Sequence, residues 1–377
     1  MKKLFILFFV LCLIINIAGC DNKDFSNVSD VNIQNGVINI KKLDIYSKDT
    51  GSPIGINGNY FYYCTSTDNY NDTSNDSFWQ YNFTTGEKKK MGSIENHQTS
   101  SATEAFVGEK KLFATYGLVE HGEIYNNHIM FDLEKCEMTV LSKDNFFPTL
   151  VYSTPVNESQ FLEFQPKKEP NGAYDYLIRI GDKNGNMQTI ITKHYLDDQV
   201  GEIISDVCVF DNIIYTFEYR YKMQYVCSYD LEGNEISKES IDLLNDFLNT
   251  PDQFTGEPEI LADIKVINDY YFFSTMNGKK LVLHKTNGEY SKVENLNMDN
   301  FGIVDSTDSL DKSDEKVIMF DYDEKELLCF DVNKGELSNL GISLENATYM
   351  TTDGEQLIYI DNSELYYIED VFALKKY

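Results

Sequence analysis

Tyr81-Asn82-Phe83-Thr84-Thr85-Gly86 is the apolar end of a strand followed by a polar turn, and the pattern returns along the chain. It reads Phe131-Asp132-Leu133-Glu134-Lys135-Cys136, Ile180-Gly181-Asp182-Lys183-Asn184-Gly185 and Tyr229-Asp230-Leu231-Glu232-Gly233. His284-Lys285-Thr286-Asn287-Gly288, Phe330-Asp331-Val332-Asn333-Lys334-Gly335 and a truncated Ile368-Glu369-Asp370 continue it. An Asx side chain hydrogen-bonds the backbone just ahead of it, and glycine supplies the positive φ that a tight hairpin turn requires. The turn positions 86, 136, 185, 233, 288 and 335 lie 50, 49, 48, 55 and 47 residues apart. A strand-rich unit recurring every ~40–50 residues is the signature of a propeller blade.

Ahead of each turn lies a further apolar run, as at 60–64, 112–116, 213–217, 270–273, 317–320 and 357–360. Several lack alternation, which fits strands covered on both faces by neighbouring blades. Long helical patterns are almost absent, and roughly 340 residues in one domain suit a barrel, a solenoid or a propeller. The expected fold is therefore all-β: a β-propeller of seven four-stranded blades, with six or eight as the alternatives. A pair of large sandwiches or a β-solenoid fits the regular spacing less well. The second strands are expected to start near 60, 111, 160, 213, 270, 316 and 356, and the quoted turns to join strands three and four. Residues 37–47 are strand-like and expected to pair with the last blade, closing the ring and removing two exposed edges. Residues 241–248 have apolar positions at helical spacing, and Pro251 ends them, so a short helix is expected between blades four and five. The repeat resembles that of the broad superfamily of bacterial extracytoplasmic β-propellers, over nearly all of the mature chain. The resemblance carries no activity with it. Trp79 is the only tryptophan, whereas quinone-dependent propellers carry one after each turn, and sialidase Asp-boxes, WD dipeptides and kelch double glycines are all missing.

The N-terminus supplies an address. Lys2 and Lys3 precede a twelve-residue apolar run, 4–15, which is too short to span a bilayer as a helix. The following Ile17-Ala18-Gly19-Cys20 resembles the lipobox of bacterial lipoproteins. That resemblance implies cleavage before Cys20 and a diacylglycerol on its sulfur, and two acyl chains are enough for stable anchoring. The expected organisation is a signal peptide at 1–19, a lipidated Cys20 with a polar tether at 20–35, and the propeller at 36–377, held outside the cytoplasm at the cell membrane. The abundance of Asn, Lys, Ile and Tyr, with only Arg179 and Arg220 as arginines, resembles the usage of low-GC Gram-positive bacteria.

The chain carries 32 Lys+Arg against 61 Asp+Glu, and loss of Lys2 and Lys3 with the signal leaves 30 against 61, a net charge of −31. Such a balance excludes nucleic acid as a partner and disfavours flat adsorption on anionic lipid, so the lipid must do the anchoring. Besides Cys20, the mature chain has Cys64, Cys136, Cys208, Cys227 and Cys329, in no CxxC or zinc pattern. Cys208 and Cys227, the nearest pair, fall on strands one and three of one blade, ~10 Å apart and beyond disulfide reach. All five are expected to be thiols.

The longer loops are the candidate sites, because propeller ligands usually bind where strand two–three loops and blade-to-blade connections share a face. These are 66–76, 118–127, 165–174, 96–101, 193–202 and 241–260. Two clusters there combine imidazole with carboxylates: Glu120, His121 and Glu123, and His194 with Asp197, Asp198 and Glu202. On one rim they could hold a metal or exchange protons; as a solvated acidic surface they would do neither. Asp305, Asp308, Asp311 and Asp314 recur every three residues and are the candidates for Ca²⁺, although they do not follow an EF-hand loop. No other cofactor is expected. No G-x-S-x-G elbow and no phosphate-cradling glycine loop occurs. The 26 tyrosines, set among Asp and Asn, suit a carbohydrate-binding rim as well as blade interfaces.

Three functions follow as expectations: a propeller that binds a protein or envelope-glycan partner, an enzyme acting on a glycan or lactone through channel carboxylates, and a structural part of the envelope. A tight cluster of buried, raised-pKa carboxylates in the channel would count against the first. Convergence of His121, His194 and the acids on one pocket would mark the second, and a broad exposed apolar patch the third.

Overall fold

The computed structural model describes residues 40–43, 53–68, 74–97, 103–120, 123–144, 152–168, 174–195, 203–220, 223–250, 259, 261–275, 277–293, 296, 301–304, 316–362 and 364–372. Within them the chain forms seven four-stranded antiparallel blades. Blades one to six cover 53–97, 103–144, 152–195, 203–240, 261–292 and 301–343, each wound from an inner first strand to an outer fourth. Blade seven takes three strands from 347–368 and its outer fourth strand, Ile40–Leu43, from the start of the domain. Ile40 pairs with Ile368 and Leu43 with Leu365, so the ring closes as the strand-like 37–47 segment led one to expect. A single pair, His97 with Leu118, links blades one and two into one continuous sheet.

The second strands begin at Tyr60, Lys111, Gln160, Ile213, Tyr270, Lys316 and Leu357, within one residue of the expected positions. The quoted turns join strands three and four. Asp182 Oδ1 accepts the amides of Asn184 and Asn186 at 2.7 and 3.0 Å, and Asp230 Oδ1 accepts those of Glu232 and Asn234 at 3.1 and 2.8 Å. Gly185 and Gly233 then take φ values of +82° and +85°. In blade two Cys136 occupies the glycine position at φ +53° and donates from Sγ to Gln80 Oε1 at 3.0 Å. None of the five described cysteines forms a disulfide.

Seven apolar clusters hold the ring, one at each blade-to-blade interface. Phe78, Phe106 and Phe131 pack between blades one and two, and Phe272, Met319 and Phe330 between blades five and six. Among the described residues the interface of blades two and three is the thinnest, with only Ala105, Val107, Phe113 and Phe161 fully in its cluster. The helix α1 (Asp242–Asn249) follows blade four and turns Leu244 and Leu248, four residues apart, into the core beside Phe217 and Val226.

Turn glycines press on neighbouring blades. A Cβ on Gly233 would collide with the backbone carbonyl of Ile190 in blade three, whereas Gly278, at φ +84°, has open space around it. Gly278→Ala should therefore lose only the strain of a left-handed backbone, about 1–3 kcal/mol. Gly233→Ala should lose more, because rigid backbone must also move. Urea midpoints of the two variants measure this, and equal losses would refute the blade contact.

Candidate functional site

The blade geometry defines two faces. The upper face carries the strand two–three turns and the blade-to-blade connections, and the lower face carries the strand one–two and three–four turns. Of the candidates nominated from sequence, Glu120 and Glu123 sit on the upper face, paired across the end of a hairpin. The expected loop at 118–127 is thus a correction. Strands two and three of blade two run to Glu120 and from Glu123, leaving only two connecting residues. The expected loops at 66–76 and 165–174 shrink likewise, with strands reaching Asp68 and Lys168. His194 stands exposed at the upper end of blade three, its Nδ1 2.7 Å from Oδ1 of Asp175, a partner not foreseen. His121, Asp197, Asp198, Glu202, Asp305, Asp308, Asp311, Asp314 and Cys20 lie outside the described residues. Among the described residues no three metal-ligating side chains gather.

The structure assembles a different site, between blades five and six on the upper face. Strand register builds one wall in two rows. Asp263 pairs with Ser274 and Ser274 with Lys280, and one row deeper Lys265 pairs with Phe272 and Phe272 with Val282. The rows share a face because side chains two apart on a strand point the same way. A bulge between Leu261 and Asp263 leaves Asp263 exposed, while Phe272 is buried as a floor. Opposite stand Gly302, Ile303 and Tyr322. Tyr322 follows the second strand of blade six (Lys316–Asp321), is 49% exposed, and meets Phe320 edge-on at 5.1 Å. A Cβ on Gly302 would come within 3.0 Å of its hydroxyl and 3.1 Å of its ring, so the missing side chain lets the ring lie along the strand. The cleft encloses about 140 Å³.

This cleft shares Asp263, Lys265 and Ile303 with a cavity of about 220 Å³ in the central channel. Its walls are mainly Val and Ile from the inner strands, and it descends to Asp211 and Gly354 at the lower-face turns. Behind Asp263, at the matching bulge of blade four, Asp206 is buried and its Oδ2 accepts the Ile264 amide at 2.7 Å. Burial first, and then the facing Asp263, push its carboxyl up to about 8. Glu104, on the inner strand of blade two, is raised by burial to about 7. These two raised carboxyls stand on separate blades rather than in one cluster.

Two other polar concentrations have structural explanations. A shallow depression of about 540 Å³ on the lower face includes Asp211, Asn268, Asp269 and His284. Asp211 and Asn268 sit at φ +50° and +52°, turn positions that favour these residue types. His284 there stacks flat on Tyr270 at 4.3 Å. The second is sealed between blades two and three. Glu163 pairs with Arg179, lies 3.1 Å from His128 Nδ1, and shares the Arg179 Nη2 donor with Gln165 at 2.9 Å. Burial alone would raise the Glu163 carboxyl, but the His128 imidazole and the Arg179 guanidinium outweigh it and hold it low. Glu163 and Gln165 have no exposed surface, so this charge braces the thinnest interface and does not face a ligand.

No family model matches the chain, and no curated protein matches its sequence. Solved propellers match its shape. The β-propeller domain of Cps50 (Swd1) from Myceliophteria thermophila is 10% identical, covers 88% of this chain and 99% of that one, and gives a TM-score of 0.50. The β-propeller domain of the Trilobed protease from Pyrococcus furiosus, described as having an open velcro topology, is 12% identical over 85% and 95%, with a TM-score of 0.52. Oligogalacturonate lyase from Vibrio parahaemolyticus is 12% identical over 91% and 95%, with a TM-score of 0.52. At these identities the likeness shows the fold alone. In this chain, unlike an open ring, Ile40–Leu43 closes the last blade.

Proposed function

We propose that the chain is a lipid-anchored, extracytoplasmic propeller that binds an envelope glycan in the cleft between blades five and six. The observation that carries this reading is Tyr322, a half-exposed ring lying opposite Asp263, Ser274, Lys265 and Lys280. The C–H face of a sugar ring packs on an aromatic face, and its hydroxyls need donors and acceptors at the rim, which is what this wall offers. The adjoining cavity gives room for a second sugar unit. The lipobox resemblance of Ile17-Ala18-Gly19-Cys20 supports the address.

An enzyme acting on the same glycan is the second reading, favoured by one observation: Asp206, its carboxyl raised by burial, stands buried directly behind Asp263. Asp206 does not line the cleft, so it could act only through Asp263. The structural-envelope reading asked for a broad apolar patch. Among the described residues the exposed large apolar side chains, Tyr60, Val140, Ile236, Leu243 and Tyr322, are scattered over four blades and α1.

Calorimetric titration of the detergent-solubilised mature chain with cell-wall glycan fragments tests the binding reading. Tyr322→Ala should weaken binding about tenfold, equivalent to about 1.4 kcal/mol, with an unchanged melting temperature. Undiminished affinity in that variant would remove the cleft from consideration. Release of shortened glycan by the wild type, lost in Asp263→Asn, would favour the enzyme.

A further inference from the structure

We infer that the glycan bound in the cleft carries a short acyl substituent, which enters the central channel and lies against its valine and isoleucine walls. The inference rests on the cleft reading above and is carried by the chemistry of the adjoining cavity. That cavity, of about 220 Å³, shares Asp263, Lys265 and Ile303 with the cleft, which places the two spaces side by side with Ile303 at their junction.

The charged side chains of the cavity stand toward its two ends, Asp263 and Lys265 at the upper and Asp211 and Lys316 at the lower. Between them lie mainly valines and isoleucines, among them Val207, Val304 and Val317. An inner strand also turns alternate backbone amides toward a propeller channel, because its inner edge has no partner strand. In blade five two of those amides are taken by side chains of blade four. Asp206 Oδ2 accepts the Ile264 N–H at 2.7 Å, and the sulfur of Cys208, two residues along the same strand, accepts the Val266 N–H. The Val304 N–H donates within its own blade, to the Ile318 carbonyl at 2.9 Å. Among the described residues the middle of the wall therefore offers a ligand mainly hydrocarbon.

That surface discriminates between ligand groups. Sugar hydroxyls in the middle of the channel would lose their water and meet few partners, which is costly. A methyl or methylene group there is buried favourably. The second sugar unit for which the cavity has room is thus one that turns an acyl group inward and keeps its hydroxyls at the charged upper end. Size agrees: an apolar cavity of about 150 Å³ already holds a benzene molecule, so this one holds an acyl chain of a few carbons. Lys265, with three N–H donors, lines the junction at which the acyl carbonyl would fall. The same walls suit an acyl group joined through an amide or through an ester.

Calorimetric titration of the detergent-solubilised mature chain with re-acylated cell-wall glycan fragments tests this. One set of fragments, first stripped of acyl groups, carries formyl, acetyl, propionyl or butyryl groups on nitrogen, and a second set carries the same groups as oxygen esters. Affinity should rise about fourfold with each added methylene, and the set that shows the rise identifies the linkage. Val317→Thr and Ile303→Thr, which put a hydroxyl into the channel wall, should cut the gain to less than twofold per methylene. Affinities that stay equal or fall along both series overturn the inference and leave glycan binding in the cleft intact. An undiminished gain in both variants places the acyl group elsewhere and overturns it as well; if a variant fails to fold, the wild-type series decides. Absence of binding by every fragment overturns it together with the cleft reading.

Discussion

Arg179→Ala is expected to destabilise the ring by about 3–5 kcal/mol, the usual effect of removing one partner from a buried ion pair. Glu163 has no exposed surface and would be left charged against His128, Gln165 and the apolar floor of Phe113 and Phe161. Among the described residues the apolar cluster of this interface is the smallest of the ring. The damage should lie mainly in the stranded charge, so adding Glu163→Gln to Arg179→Ala should recover a substantial part of the loss. Urea unfolding of the wild type, the single variant and the double variant measures both effects. A single-variant loss below about 1 kcal/mol would mean that water reaches the pair, and absence of recovery would mean that the arginine matters for its packing instead.

The pH dependence of stability should change sharply in Asp206→Asn. A carboxyl raised to about 8 in the folded chain, from near 4 when unfolded, binds its proton more tightly in the native state across that window. Its contribution is then fully present below pH 4, falls as pH rises between 4 and 8, and is gone above 8. The decline amounts to at most about 6 kcal/mol, because each pH unit crossed between the two values is worth roughly 1.4 kcal/mol. Asparagine keeps an oxygen for the Ile264 amide and cannot ionise. The variant should match the wild type below pH 4 and exceed it by several kcal/mol at pH 8. General repulsion among 61 acidic residues also grows with pH, but it acts on both proteins and cancels in the difference. Parallel stability curves would show that Asp206 ionises normally.

Much of the fold is written locally. Asn82, Asp182, Asp230 and Asp331 each close their own turn within four residues, so a linear reading finds six strand three–four turns and, from their spacing, the blades. The closing strand was legible because it stood strand-like ahead of a complete first blade, and α1 because Leu244 and Leu248 share a stripe. The cleft was not, because loop length points to other places and its own turn at 322–325 is among the shortest. Tyr322 acquires its role only when blade five supplies Asp263, Ser274 and Lys280 from a register no local pattern encodes. A signal did exist for the charged interface. His128 and Arg179 lie 51 residues apart, one blade period, on corresponding strands, and so face each other across adjacent blades. Arg179, read from composition as one of two scarce arginines, is the residue that pins blade three to blade two.

Hydrogen–deuterium exchange of the mature chain, with and without cell-wall glycan fragments, tests the binding cleft most directly. Added glycan should slow exchange at 263–265, 272–275, 301–303 and 322–324, and leave the lower-face turns at 211–212 and 268–269 unchanged. Protection confined to those lower turns, or no protection anywhere at saturating glycan, would contradict the cleft as the site at which this propeller binds.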